Sequence, residues 1–273
     1  MINTKLPLVL MTHRLPDEWI ASLNGNCRLL IGPIDATFFD PSLLAHIEEA
    51  VGLFTLLTIP IKQELLERAR HLRVISNMAV GVDNIDIITC TRLGIPVGNT
   101  PGVLTEGTAD LAMALLLSIA RRIPQARDDV LTGKWKTWSP TGWLGADLVG
   151  KTLGIVGMGK IGRAVASRVQ GFGMRIVYYD PKSSEDNPGT LLPLEELLRQ
   201  SDFVSLHTPL SVSTYHLINA QMLSLLKPTA YLINTSRGAV IDQRALVESL
   251  SAGKLAGAAL DVTDPEPLSP GHP

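Results

Sequence analysis

The stretch that decides the fold is TLGIVGMGKIGRAVASRVQGFGMRIVYYD, residues 152–180. A short apolar run precedes three glycines in the spacing GxGxxG, and a helical pattern and a second apolar run follow them. Gly157 permits the tight turn, Gly159 lets the backbone approach a pyrophosphate, and Gly162 lets the helix pack closely on the sheet. The stretch therefore predicts a dinucleotide-binding βαβ unit. The alternative is a glycine-rich turn that holds no ligand.

The acidic residue that ends the second apolar run indicates which dinucleotide binds. Asp180 follows Gly162 at close to the ~20-residue spacing of this motif, where a carboxylate can accept hydrogen bonds from the ribose hydroxyls of adenosine. Because a carboxylate repels a 2′-phosphate, NAD is the expected cofactor. Lys182 and the two serines after it could still accommodate a phosphate, so NADP stays possible.

Short apolar runs alternate with helical patterns in two series along the chain. The first series predicts strands at 8–12, 28–32, 52–57, 73–79 and 95–99 and helices at 16–23, 41–50, 61–70 and 84–94. The second predicts a long helix at 103–122, strands at 152–157, 175–180, 203–209, 231–236 and 255–262, and helices at 161–171, 193–200, 219–226 and 242–252. Such alternation predicts an α/β protein with parallel sheets. We expect two domains, residues 1–100 and 101–273.

Composition excludes several classes of protein. The 273 residues are 45% hydrophobic and 18% charged, which is typical of a globular protein, and the formal net charge is −2. Since no basic patch stands out, neither nucleic acid nor a membrane surface is an expected partner. The most apolar helical run, 111–120, is too short to span a bilayer. Cys27 and Cys90 form no CxxC, and the six histidines suggest no metal site, so we expect a cytoplasmic, metal-free protein.

Several motifs occur in an order that is specific to one family. The stretches GMGKIG…YYD (157–180), INTSRGAVIDQRALVESL (233–250) and AGAALDVTDPEP (256–267) together resemble the D-isomer-specific 2-hydroxyacid dehydrogenase family. NMAVGVDNID (77–86) and GNTPGVLTEGTADLAMALLL (98–117) resemble it too, so the likeness covers nearly the whole chain. With WLGADLVGKTLGIVG, these two segments most resemble its glyoxylate/hydroxypyruvate reductase branch.

The resemblance implies a fold and an activity. The fold would be two doubly wound, Rossmann-like parallel-sheet domains with a cleft between them, the first binding substrate and the second binding NAD or NADP. The activity would be reversible hydride transfer between the nicotinamide and the α-carbon of a small 2-oxo acid, with glyoxylate or hydroxypyruvate expected. Family members that act on phosphoglycerate, lactate or formate are an alternative, and so is a non-catalytic dinucleotide-binding regulator.

Reduction of a 2-oxo acid needs a cation that holds the carboxylate and polarises the ketone. Arg237, in NTSRG, follows a predicted strand and is therefore expected at the carboxyl edge of the sheet, where ligands of such folds bind. A guanidinium suits a carboxylate because it can donate two parallel hydrogen bonds. A surface arginine in an ion pair is the alternative.

The resemblance assigns further residues around the substrate. Glu266 corresponds to the family glutamate that hydrogen-bonds the catalytic histidine, and a carboxylate there would raise the pKa of that histidine. Read alone, DPEPLSP is only an acidic turn. Backbone amides around Val80 and Gly81 would hold the substrate carboxylate, or would simply form a tight turn. Side chains such as Leu57, Val80 and Trp143 would select the substrate.

For the cofactor, the resemblance points to residues in loops and at strand ends. Thr108 is expected on the nicotinamide side, and His207 is either part of the cofactor site or a structural histidine. The implied set is Thr108, Gly157, Gly159, Lys160, Ile161, Gly162, Asp180, His207, Thr208, Pro209, Thr214, Thr235, Ser236 and Asp261.

The general acid of the family is a histidine in a PH-x-G-like segment well after the glutamate, and residues 1–273 contain no such segment. We expect His272 to be a solvent-facing loop residue rather than this acid. We therefore expect that both domains lack their C-terminal part. Truncation of the chain is the expected cause, and a natural fragment is the alternative. We also expect that residues 1–273 alone are severely impaired in hydride transfer.

The segment 132–150 holds Trp135, Trp138 and Trp143 among many helix breakers. A large apolar area without a helical face usually needs a partner. Because the resemblance also implies a homodimer, the tryptophan-rich segment predicts that two chains associate through the nucleotide-binding domain. Packing within the subunit is the alternative.

Overall fold

The computed structural model describes residues 6–182 and 187–273. The chain divides into two compact units, Met1–Leu104 and Thr105–Pro273. The boundary expected at residue 100 thus lies slightly before the observed one, within the turns that lead into the first long helix.

The first unit is a five-stranded, entirely parallel sheet in the order β2-β1-β3-β4-β5. Its strands are β1 Leu8–Met11, β2 Arg28–Ile31, β3 Gly52–Thr55, β4 Val74–Asn77 and β5 Val97–Gly98. Its helices are α1 Asp17–Ile20, α2 Pro41–Leu44, α3 Gln63–Arg68 and α4 Ile87–Leu93, and a 3₁₀ turn covers Ala21–Leu23. The strand order reverses between β1 and β3, which makes this sheet doubly wound.

The helices of the first unit are short, and local chemistry explains where two of them begin and where one of them ends. The Asp40 side chain accepts from the backbone N–H of Ser42 at the start of α2, and Asp86 accepts from that of Thr89 at the start of α4. Gly94 ends α4 in the left-handed conformation. The core consists of aliphatic side chains from neighbouring strands and from the helices, among them Leu10, Leu53, Ile75, Leu43 and Leu66.

The second unit is a six-stranded parallel sheet in the order β11-β10-β9-β6-β7-β8. Its strands are β6 Thr152–Val156, β7 Arg175–Tyr179, β8 Thr190–Leu191, β9 Phe203–Leu206, β10 Tyr231–Asn234 and β11 Gly257–Leu260. Its helices are α5 Thr105–Ala120, α6 Ile123–Leu131, α7 Lys160–Gln170, α8 Leu194–Gln200, α9 Ala220–Leu223 and α10 Gln243–Ser251, with a 3₁₀ turn at Gly238–Val240. The switch point lies between β6 and β9.

Both faces of this sheet are covered, as a parallel sheet requires. One apolar cluster packs residues of α5 and α7, such as Leu116 and Val165, against the strands. The other packs residues of α8 and α10, such as Leu197 and Leu246. The central strand β6 is buried along its whole length and carries the glycine turn at its end.

The long helix expected over 103–122 is confirmed as α5, whereas the helix α6 that follows it was not predicted. α5 ends at Ala120, Arg122 adopts a left-handed conformation with φ 54°, and α6 starts at Ile123 with Pro124 in its first turn. Proline is tolerated in the first turn of a helix, but inside a continuous helix it would remove a hydrogen bond and clash with the preceding turn. No residue of α6 is buried, so no apolar periodicity marks this helix in the sequence. Among residues 6–182 and 187–273, every helix is too short or too polar to cross a membrane.

Candidate functional site

The glycine turn is built as the spacing predicts. Gly157 follows β6 with φ +97°, and a Cβ there would lie 2.7 Å from the carbonyl carbon and oxygen of His207, so that only glycine fits. A Cβ at Gly162 would overlap the carbonyl oxygen of Gly157, which shows how closely α7 approaches the turn. Around Gly159, the N-cap of α7, a Cβ would meet no described atom within 4 Å. The turn therefore leaves open space at a helix N-terminus, which suits a pyrophosphate.

Asp180 directly follows β7 and braces this turn. One carboxylate oxygen accepts from the backbone N–H of Met158 at 2.8 Å, and the other accepts from that of Lys182 at 2.8 Å. An ionised carboxylate offers about four acceptor positions, so two bonds leave capacity for ribose hydroxyls. The serines expected to assist a 2′-phosphate, Ser183 and Ser184, lie outside the described residues.

The segment that follows β9 lies against the glycine turn. The backbone N–H of His207 donates to the carbonyl oxygen of Val156 at 2.8 Å, and its Nε2 lies 2.8 Å from the hydroxyl of Ser205. Burial lowers the pKa of His207 to about 4, because an imidazolium is poorly solvated there. His207 is therefore neutral at pH 7. Thr208 is half-buried beside it, and Pro209 is exposed.

Thr214 contributes to its own loop. Its hydroxyl donates to the carbonyl oxygen of Pro209 at 2.6 Å and accepts from the backbone N–H of Ser211 at 2.7 Å. A hydroxyl has one proton, and here that proton is used within the 209–214 turn. Thr108 is half-buried in the first turn of α5.

Arg237 lies in the loop that follows β10, and a buried asparagine shapes that loop. The side-chain amide of Asn234 donates to the carbonyl oxygen of Arg237 at 2.9 Å. Its oxygen accepts from the backbone N–H of Ser236 at 2.9 Å and from the Ser236 hydroxyl at 2.8 Å. Arg237 as a residue is half-buried, and its Nη1 donates to the Ser236 carbonyl at 2.9 Å. Asn234 is a residue that sequence reasoning missed; an amide side chain ending a buried strand was the available signal.

The side chain of Thr235 contains a polar group that indicates a ligand-binding site. Its hydroxyl is buried and has no hydrogen-bond partner among the described residues. Buried hydroxyls are normally paired, and an unpaired one at the carboxyl edge of a sheet suits a ligand that completes it. Together with the open space at Gly159, this hydroxyl indicates that the residues fit a bound dinucleotide.

The segment with Asp261 and Glu266 packs against the loop of Arg237. Asp261 donates its backbone N–H to the carbonyl oxygen of Asn234 at 3.0 Å. A Cβ at Gly238 would overlap the backbone of Thr263, so residue 238 must be glycine for the two segments to meet. The Glu266 carboxylate accepts from the backbone N–H of Thr263 at 3.2 Å and is exposed.

His272 is not the solvent-facing residue that the sequence predicts. It is half-buried, and its Nε2 lies 3.0 Å from the amide nitrogen of Gln243 in α10. Because an amide nitrogen only donates, Nε2 must accept, and Nδ1 carries the proton toward the carbonyl oxygen of Pro273. The Gln243 oxygen accepts from the backbone N–H of Asp264 at 2.8 Å, so one side chain holds both ends of this segment.

Three residues that the resemblance assigns to the substrate, Leu57, Val80 and Gly81, lie in the first unit. Leu57 follows β3, and Val80 and Gly81 follow β4, which is the neighbouring strand. The carboxyl ends of parallel neighbours meet at one edge, so the two loops are adjacent. Leu57 and Val80 are both exposed there.

The tryptophan-rich segment has no regular secondary structure. Trp135 and Trp138 are 61% and 77% exposed, whereas Trp143 is half-buried with the guanidinium of Arg122 5.1 Å from its ring centroid. Across the part of the chain that the structure describes, no cluster of three or more His, Cys, Asp or Glu could hold a metal ion.

Comparison with known proteins gives the family. The family model for "D-isomer specific 2-hydroxyacid dehydrogenase, NAD binding domain" matches residues 113–273. A glyoxylate reductase of Korarchaeum cryptofilum is 47% identical over 272 residues, which cover 98% of this chain and 82% of that protein. Among solved structures, the TT0316 protein of Thermus thermophilus is similar with a TM-score of 0.89 and 47% identity, covering 97% of this chain and 85% of its own.

A second solved structure bears on the cofactor. An NADPH-dependent glyoxylate/hydroxypyruvate reductase of Sinorhizobium meliloti, in complex with NADP and malonate, matches with a TM-score of 0.85 and 32% identity. The match covers 97% of this chain and 82% of that one. With the family model, these matches identify a nicotinamide dinucleotide as the cofactor. The chain belongs to the D-isomer specific 2-hydroxyacid dehydrogenases, a family of oxidoreductases.

Proposed function

We propose that the enzyme reduces glyoxylate or hydroxypyruvate, using a nicotinamide dinucleotide as the hydride donor. The observation that carries the proposal is the loop after β10, in which buried Asn234 holds the backbone on either side of Arg237. A guanidinium held at a sheet edge can bind a carboxylate and polarise the adjacent ketone. The glyoxylate reductase with 47% identity supports this substrate class.

Each residue would have a defined role. The bound dinucleotide would supply a hydride to the α-carbon of the oxo acid. Arg237 would stabilise the negative charge that develops on the ketone oxygen, and the backbone amides of Val80 and Gly81 would hold the carboxylate. Glu266 would stabilise the protonated form of the histidine that the family uses as general acid, which gives its proton to the same oxygen.

NAD is the dinucleotide that we propose. Asp180 presents a carboxylate beside the glycine turn, and two backbone N–H groups hold it in place. A 2′-phosphate next to this carboxylate would be repelled. The NADP-bound relative shows that the family fold also takes the phosphorylated cofactor, so the two must be compared directly.

A substrate panel tests the function. Glyoxylate, hydroxypyruvate, pyruvate and the oxo form of phosphoglycerate would be assayed with NADH and with NADPH in the intact enzyme. We expect the highest kcat/KM with glyoxylate or hydroxypyruvate and NADH. A preference for pyruvate or the phosphorylated acid would contradict the proposed substrate, and a preference for NADPH would contradict the role of Asp180.

We also propose that the protein is a cytoplasmic homodimer that associates through the nucleotide-binding unit. Cys27 and Cys90 are both free thiols, which fits a reducing compartment. Trp135 and Trp138 expose large apolar areas on the nucleotide-binding unit, and such areas are typical of protein interfaces.

A further inference from the structure

Two carbonyl groups in the loop after β4 are held by the segment that follows β5. The backbone N–H of Thr100 donates to the carbonyl oxygen of Ala79 at 2.9 Å. The side-chain amide of Asn99 donates to the carbonyl oxygen of Val80 at 2.8 Å. Successive carbonyls of this loop therefore face the same neighbouring segment.

The next carbonyl of the loop, that of Gly81, is held by a residue at the end of β4. The side-chain amide of Asn77, which is buried at the end of β4, donates to the carbonyl oxygen of Gly81 at 2.9 Å and to the side-chain oxygen of Asn84 at 3.1 Å. Asn84 in turn donates to the carbonyl oxygens of Leu56 and Ile59 at 3.1 and 3.3 Å. The asparagine pair joins the loop after β3 to the loop after β4.

These bonds decide where the amide N–H groups of the loop point. In a trans peptide the N–H lies opposite the carbonyl oxygen of the same peptide group. The N–H groups of Val80 and Gly81 belong to the peptides whose carbonyls bind Thr100 and Asn99, so both point away from that segment. Neither N–H has an acceptor within the described part of the chain. Successive unpaired N–H groups form a concave donor site for an anion.

We propose that Asn99 is a positioning residue for the substrate: by holding the Val80 carbonyl, it aims the N–H groups of Val80 and Gly81 at the carboxylate of the 2-oxo acid. The inference deepens the proposed function and rests on it for the identity of the ligand. Asn99 itself is exposed and donates to backbone, so it acts through the loop and not on the ligand. Exposure also means that its replacement leaves the core intact.

The test uses oxalate, a two-carbon dicarboxylate that cannot be reduced to a hydroxy acid in one hydride step. ¹⁵N-labelled protein would be titrated with oxalate, and the amide resonances of Val80 and Gly81 would report the binding. We expect them to shift in the unmodified protein. Asn99→Ala should bind oxalate about tenfold more weakly, because the Val80 carbonyl loses its donor. Asn99→Asp should bind still more weakly, because its carboxylate repels both that carbonyl and the ligand.

Asn26→Ala is the matched control. Asn26 is also exposed, lies in the same unit and donates to a backbone carbonyl, that of Ser22, at 2.9 Å. This variant should bind oxalate as the unmodified protein does. In kinetics with glyoxylate, Asn99→Ala should raise KM for glyoxylate about tenfold while KM for the dinucleotide and the melting temperature stay unchanged.

Several outcomes overturn the inference. If oxalate leaves the Val80 and Gly81 amides unshifted in the unmodified protein, or if Asn99→Ala binds oxalate normally, Asn99 does not position this site. The function is judged separately. If glyoxylate is reduced but oxalate does not shift the Val80 and Gly81 amides, the proposed function is supported and the role of Asn99 is refuted. If oxalate shifts these amides and Asn99→Ala weakens oxalate binding, but no 2-oxo acid is reduced, the role of Asn99 is supported and the proposed function is refuted.

Discussion

Two physical reasons require glycine at position 157. Its φ of +97° lies in a region that residues with a side chain rarely adopt, and its Cα faces the backbone of His207 so closely that a methyl group would overlap it. The same position starts the turn that is open at Gly159. The requirement for glycine therefore comes from the fold, and the open space beyond it serves the ligand.

Gly157→Ala should lower the free energy of unfolding by about 2 kcal/mol or more, because it adds an overlap to a backbone strain of ~1–3 kcal/mol. It should also weaken NADH binding. Gly133→Ala is the control, since Gly133 has φ +66° but no described atom within 4 Å of a Cβ, and should show the strain alone. Urea unfolding and NADH fluorescence measure the two effects. Equal losses of stability in both variants would contradict the overlap.

His207 gives a prediction about pH. The folded-state pKa is about 4, below the value of ~6.5 for an unfolded histidine, so the unfolded chain binds the proton more readily. The contribution of His207 is therefore fully present above pH ~6.5 and is lost as the pH falls toward 4. Because the side chain keeps some exposure, the loss should stay below about 3 kcal/mol.

Urea unfolding of the unmodified protein and of His207→Gln, measured between pH 7 and pH 4, checks this effect. The glutamine variant should lose less stability over this range, since its side chain does not titrate. NMR titration of the His207 ring should give a pKa well below 6. A ring that titrates near 6.5 would contradict the effect of burial.

At the level of elements, the loop after β10 is joined to the segment after β11 through a contact of two backbones. Gly238 lies so close to Thr263 that a Cβ would overlap its carbonyl. Gln243, in the first turn of α10, adds hydrogen bonds to Asp264 and His272. The position of Glu266 relative to the Arg237 loop therefore depends on a glycine and on one amide side chain.

Gly238→Ala should push the 263–266 turn away and lower the free energy of unfolding by about 1–3 kcal/mol, the usual cost of an overlap in a packed region. kcat should fall together with stability, since Glu266 moves. Gly107→Ala is the control. Gly107 lies in α5 with no described atom within 4 Å of a Cβ, so alanine should be neutral or stabilising by up to ~1 kcal/mol. Unchanged stability in Gly238→Ala would show that the backbone contact is looser than described.

For the whole molecule, the proposed homodimer depends on exposed aromatic area. Sedimentation at micromolar concentration should show a dimer, and replacement of both Trp135 and Trp138 by serine should give a monomer with unchanged unfolding free energy per chain. Both side chains are exposed within the chain, so serine removes little from its own core. A monomer in the unmodified protein would remove the proposal. A dimer that persists in the double variant would place the interface elsewhere.

The sequence predicted most strands well and several helix ends poorly. Short apolar runs bounded by breakers locate strands such as β6 and β9, because a strand in a parallel sheet is buried on both faces and must be apolar throughout. The end of α5 was predicted to within two residues, but α6 was missed because none of its residues is buried. A helix without a buried face leaves no apolar periodicity to recognise.

The pattern of residues along the chain was enough to predict the alternating α/β architecture and the glycine turn at 157–162. It also predicted the strand ends that carry Asp180 and Arg237. Each of these follows from spacing within one strand–turn–helix unit, where neighbours in sequence are neighbours in space. Tertiary structure alone decided that Asp180 holds Met158, that Gln243 holds His272 and that Asn99 holds Val80. Such contacts join different loops, and their geometry depends on strand order and register, which packing of the whole unit determines.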